Sequence, residues 1–183
     1  DPQVECNNIV TMAVLQACCL YCIKVLLDPD CPQNHGMLDP ISIIAPEGTI
    51  VNAAFPSASA ARAQTGQRIV DVIFGALASA CPENIIAAGN GANTSAAFFG
   101  KSKHGKYYVY LETLGGGAGG RSYKDGRDGI QIHMTNTSNL PIEALESEYP
   151  LMIERYEFVK DSGGAGKYRG GLGIRRDYRP IKH

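Results

Sequence analysis

Between His133 and Gly173 the chain gathers the side chains best suited to chemistry. His133 lies on a predicted strand, Gly129–Thr135, and leads into Thr135-Asn136-Thr137-Ser138-Asn139. An imidazole titrates near neutrality and can carry a proton; a lone strand histidine also serves as a core residue satisfied by a backbone carbonyl. Short amide and hydroxyl side chains in succession can orient a polar substrate or satisfy an irregular backbone. Glu143 and Glu146 then fall three apart on one face of a short predicted helix, with Pro141 at its first position and Asn139 as its cap. A carboxylate pair at this spacing suits acid–base or metal work, and solvated helix-face charges look the same. Last comes Asp161–Gly173, where six glycines occur in the eleven residues from Gly163, interleaved with Lys167 and Arg169. Glycine costs backbone entropy, so this density implies positive φ or close approach of the backbone to something. A guanidinium held there could grip a carboxylate or phosphate through two parallel hydrogen bonds.

Two further motifs imitate sites. Gly115-Gly116-Gly117-Ala118-Gly119-Gly120-Arg121-Ser122 follows a strand, as a phosphate-cradling loop does. That chemistry needs a helix N-terminus directly after the loop, and Tyr123-Lys124-Asp125-Gly126 is turn chemistry instead. A close-packed or flexible loop is the expectation. Cys19-Leu20-Tyr21-Cys22 has no second CxxC and no suitable histidines, so buried thiols are expected rather than a metal site. The other cysteines, Cys6, Cys18, Cys31 and Cys81, form no disulfide pattern, which suits free thiols in a reducing, cytoplasmic setting.

The elements that must position these residues are legible in outline. Ile9–Leu27 is apolar without Gly or Pro and reads as a largely buried helix; Thr11, Gln16 and Lys24 interrupt it too often for a membrane span. A second helix fits Ser59–Ala80, with Ile69, Val72, Ile73, Ala76 and Leu77 as its apolar stripe and Pro82 past its end. Ile41–Ala45 and Thr49–Asn52 flank the turn Pro46-Glu47-Gly48 as a hairpin-like pair. Strands are predicted at Lys106–Thr113, Leu151–Val159 and Gly173–Tyr178 besides Gly129–Thr135. Two long buried helices followed by a glycine-punctuated mixed sheet make an α+β fold, read as a single domain over 1–183 within a larger assembly. A net charge of −1 gives no field to recruit nucleic acid or an anionic membrane. The opening Asp1-Pro2-Gln3-Val4 has no initiator Met, as in a trimmed, processed or partial chain.

Taken in order, several segments resemble the hydantoinase B/oxoprolinase family. They are Asp28-Pro29-Asp30 with Pro32 and Asn34-His35-Gly36, Ala45-Pro46-Glu47-Gly48-Thr49 through Asn52, and Thr65-Gly66-Gln67-Arg68-Ile69-Val70-Asp71-Val72. Tyr110-Leu111-Glu112-Thr113 into Gly115–Gly119 and Asp125-Gly126 continue the series. Thr135-Asn136-Thr137 through Pro141, Glu143, Glu146 and Pro150, and then Asp161-Ser162-Gly163-Gly164-Ala165-Gly166 through Arg169-Gly170-Gly171, complete it.

The resemblance implies the middle and C-terminal portion of a B-type subunit in an ATP-dependent cyclic amide hydrolase. Such an enzyme opens hydantoin or 5-oxoproline with a hydantoinase A-type subunit, which holds ATP and Mg and phosphorylates the carbonyl oxygen. A divalent metal is expected on an upstream segment, in the remainder of the B-type subunit, and not on this chain. On this reading Asn136 and Thr137 bind the ring amide, His133 or Glu143 moves a proton, and Arg169 takes a carboxylate or phosphate. The alternatives are a component of an acetone- or acetophenone-type carboxylase, and a non-catalytic chain closing a partner's active site.

Overall fold

The computed structural model describes residues 2–102 and 104–181. It is α+β, and its residue contacts gather into two compact units: Asp1–Ala87 with His133–Thr135, and Ala88–Ile132 with Asn136–His183.

The first unit is built on two helices, α1 (Met12–Leu27) and α2 (Arg62–Leu77). Thr11 opens α1 in extended conformation without a side-chain cap; its carbonyl takes the Val14 and Leu15 amides. Cys18 and Cys22, one turn apart on α1, pack on Val70 and Phe74 of α2, with Val14, Tyr21, Leu26, Ile69, Ile73, Ile85 and Met134 around them. Helices approach closely where Gly66 lies 3.6 Å, by its absent Cβ, from the Cys18 sulfur. That glycine fixes the inward face. The fully buried positions of α2 are therefore Gly66, Gln67, Val70 and Phe74; of the expected stripe, Ile69 and Ile73 pack at the edge of this core, while Val72 is 69% exposed. Leu27, at the end of α1, is likewise exposed. No strands pair across Pro46-Glu47-Gly48: Thr49 bridges to Asn52 within a tight turn, and Gly48 takes φ 78°.

The second unit holds two separate two-stranded antiparallel sheets. Strands β1 (Thr94–Lys101) and β2 (Tyr107–Leu114) form one, β3 (Leu151–Phe158) and β4 (Ile174–Pro180) the other, with α3 (Ile142–Glu148) between them in sequence. The sequence reading missed β1, whose Ala-Ala-Phe-Phe core lacks β-branched residues. Tyr110, Leu145 and Leu151 are buried together under Phe98, Tyr108, Leu140, Tyr149, Ile153 and Tyr178. Gly129–Thr135 is not a strand: Ile130 alone bridges to Gly116, and His133 has φ 50°, which no ladder accommodates. Pro141 is the N-cap of α3 rather than its first residue, and Asn139 is engaged elsewhere, so it is not the cap. Among the described residues no helix is long and apolar enough to cross a membrane.

Candidate functional site

In the first unit, His133 is an anchor. Its side chain is 1% exposed, set edge-on against Phe74 (centroids 5.5 Å apart) and Tyr21 (6.1 Å), with Nε2 3.0 Å from Asp71 Oδ1. A carboxylate partner makes Nε2 the protonated nitrogen and fixes the ring's orientation. One turn earlier on α2, Gln67 Nε2 donates to Thr135 Oγ1 at 2.6 Å. The i, i+4 spacing thus lets one helix face grip both His133 and Thr135. Asp71 Oδ2 makes no hydrogen bond; Arg68 lies 3.5 Å away, but its side chain is 60% exposed and the attraction is screened. Burial pushes the neighbouring Cys22 thiol up to about 12, with Cys18, Cys19 and Asp71 adding to the effect. Gln67 and Asp71 carry no site role in the sequence reading, although both lie in the Thr65–Val72 segment; their signal was the shared helix face.

In the second unit, Asn136, Thr137 and Ser138 are exposed and make no hydrogen bond to the described residues. The residues after them are fixed. Asn139 Oδ1 accepts the Gly115 amide at 2.9 Å, and the Leu140 carbonyl accepts from Arg176 Nη2 at 2.9 Å. Glu143, in the first turn of α3, is exposed and unpaired among the described residues. Glu146 is not its equal partner: its Oε1 accepts the Ile153 amide at 2.8 Å, tying α3 to β3. The short polar run is therefore a held segment with free side chains.

Arg169 already has its carboxylate. Its guanidinium meets Asp128 at 2.9 and 3.2 Å in the bidentate manner, and its amide donates to Asp125 Oδ1 at 2.9 Å. These contacts hold the Asp128 carboxyl below its usual range and raise Arg169, the hydrogen bond between them being the largest cause for both. The glycines serve the same packing. A Cβ on Gly171 would stand 1.9 Å from the Arg127 carbonyl oxygen, and one on Gly117 would stand 2.0 Å from that of Gly171. Hydrogen bonds run between segments: Gly171 N to Ala118 O (2.7 Å), Ala118 N to Arg127 O (3.0 Å) and Gly126 N to Arg169 O (2.8 Å). Close approach accounts for Gly163, Gly170 and Gly171 of the Asp161–Gly173 run, and what approaches is the chain itself. Neither glycine run opens a helix that would complete a phosphate cradle.

All six thiols are free. Among the described residues no group of three His, Cys, Asp or Glu side chains is placed to hold a metal ion.

The family model described as hydantoinase B/oxoprolinase matches residues 1–183. A putative D-/L-hydantoinase from Pseudomonas sp., in its B-type subunit, is 42% identical over 146 residues, which are 80% of this chain and 24% of that one. 5-Oxoprolinase 1 of Arabidopsis thaliana is 34% identical over 97% of this chain and 13% of its own length. Among solved structures, the ATP-dependent caprolactamase from Pseudomonas jessenii superposes with a TM-score of 0.81 at 25% identity, covering 99% of this chain and 32% of that chain. The chain thus spans about a third or less of each protein it matches.

Proposed function

The chain belongs to the hydantoinase B/oxoprolinase family, and we propose that it is a component of an ATP-dependent cyclic amide hydrolase opening a hydantoin or 5-oxoproline ring. The names of the relatives support this class: hydantoin, 5-oxoproline and caprolactam are all cyclic amides. An amide carbonyl is a poor electrophile because nitrogen donates into it. A hydantoinase A-type partner would hold ATP and Mg and pass the γ-phosphoryl group to the carbonyl oxygen, with ADP leaving; one water would add to the carbon and the ring nitrogen leave with a proton, giving an acyl phosphate that a second water cleaves to carboxylate and inorganic phosphate. The activated ring must be kept from bulk water meanwhile.

The observation that carries the assignment to this chain is the held segment with free side chains. Asn136 supplies both an N–H donor and a carbonyl acceptor, and Thr137 a hydroxyl, which together match the C=O and N–H of a ring amide. Their exposure and lack of hydrogen-bond partners among the described residues leave these groups available. For proton transfer the geometry favours Glu143, exposed and unpaired, over His133, whose ring is enclosed and tied to Asp71. His133 then serves the packing of the first unit. Arg169 stays with Asp128, which takes its guanidinium out of the substrate-binding role.

The test is ATP hydrolysis by the assembled enzyme, comprising this chain in its full subunit and the A-type partner. Turnover stimulated by 5-oxoproline or hydantoin supports the reading. Stimulation only by acetone with bicarbonate would move the enzyme to the carboxylase branch and overturn it.

A further inference from the structure

The second unit contains a buried ion pair that reaches the held segment. Arg176 of β4 and Glu112 of β2 have side chains 0% and 6% exposed, and Nη1 lies 3.0 Å from Glu112 Oε2. The Tyr178 hydroxyl donates to the other carboxylate oxygen. The guanidinium lies over the Tyr156 ring, 4.7 Å from its centroid, and near Tyr178 at 5.7 Å. Its remaining terminal nitrogen, Nη2, donates 2.9 Å to the Leu140 carbonyl, while Nε is buried without a hydrogen bond. Burying two charges is expensive, and an apolar pair of similar volume often serves stability as well or better. Stability is therefore a weak reason for this arrangement. A planar guanidinium offers something an apolar pair lacks, namely two differently aimed N–H groups fixed in one plane. One is spent on Glu112, the other on the backbone between Asn139 and Pro141.

We propose that the Glu112–Arg176 pair is a latch that positions the Asn136–Ser138 segment, with Arg176 as a positioning residue for the ring-binding side chains. This rests on the function proposed above. Leu140 is held by Arg176, and Asn139 beside it is held by Gly115. Releasing the first contact frees the second. The segment then samples many conformations, and ring binding must first select the competent one, which weakens apparent affinity without altering the chemical step.

The Gly115 N–H, donor to Asn139, reports on the latch independently of activity. Arg176→Met alone strands a buried carboxylate and will destabilise the unit. The informative variant is Glu112→Gln with Arg176→Met, which removes both charges and keeps an acceptor for Tyr178. In the assembled enzyme we expect this double variant to keep its melting temperature. Gly115 exchange should be at least tenfold faster and KM for the cyclic amide at least fivefold higher, with kcat within twofold. Arg176→Lys paired with native Glu112 should recover part of the KM. Parental Gly115 exchange in the folded double variant overturns the proposal. Faster exchange with parental KM leaves the latch standing and instead removes Asn136–Ser138 from substrate binding.

Discussion

His133 and Cys22 lie close to the same carboxylate, Asp71, yet respond differently to burial. The histidine gains a hydrogen-bonded partner, whereas the thiols of Cys22 and Cys18 are pushed up from 9.0 to about 12 and about 11, chiefly by desolvation with neighbouring negative charge adding to it. In the unfolded chain both thiols titrate at the lower value, so between there and pH 12 the folded state keeps protons that the unfolded state has lost. The stability this confers is complete below pH 9 and is lost as pH rises through 11 to 12. Denaturant midpoints at pH 8, 10 and 11 should therefore fall more steeply in the parent than in a Cys18→Ala, Cys22→Ala variant; equal slopes would contradict it. His133 itself was legible as a candidate, but its burial was not. The sequence places it on a strand with Ile132 and Met134, and only its positive φ turns the ring under Phe74 to meet Asp71.

Glycine shows at the level of elements what a sequence can and cannot reveal. Density alone said that a backbone approaches something, and the absence of a following helix argued against a phosphate cradle. It could not say which carbonyl approaches which glycine, because those pairs join residues far apart in the chain, such as Gly171 with Arg127. The helices and three of the four strands were legible from local pattern; β1 was not, and the inward face of α2 was misread because Gly66 and Gln67 do not look like core. Position decides how a glycine responds to substitution. Gly171→Ala has no room and should cost upward of about 3 kcal/mol through overpacking. Gly164 has nothing within 4 Å of an added Cβ, and Gly75 is similarly open on α2. Gly75→Ala should stabilise by about 1 kcal/mol through helix propensity. Denaturant titration of the two variants checks the order, and a well-folded Gly171→Ala would refute the packing account.

At the scale of the whole molecule, much apolar surface is left uncovered. On the outer face of the β1–β2 sheet Phe99 (84% exposed) pairs in register with Val109 (78%), flanked by Tyr107 and Leu111. An apolar patch of this kind on an isolated chain invites association. We expect the 183-residue chain alone to self-associate in size-exclusion chromatography with light scattering; a monodisperse monomer at high concentration would count against it. The relatives it matches are at least three times longer than the matched part. The central claim is that the held segment offers Asn136 to a ring amide, and steady-state turnover of the assembled enzyme carrying Asn136→Ala tests it most directly. Asn136 is exposed and makes no hydrogen bond among the described residues, so the melting temperature should stay within about one degree of the parent. Cyclic-amide-dependent ATP turnover should fall at least tenfold in kcat/KM, a loss of about 1.4 kcal/mol of transition-state stabilisation. Turnover within twofold of the parent, in a protein equally stable, would contradict the account.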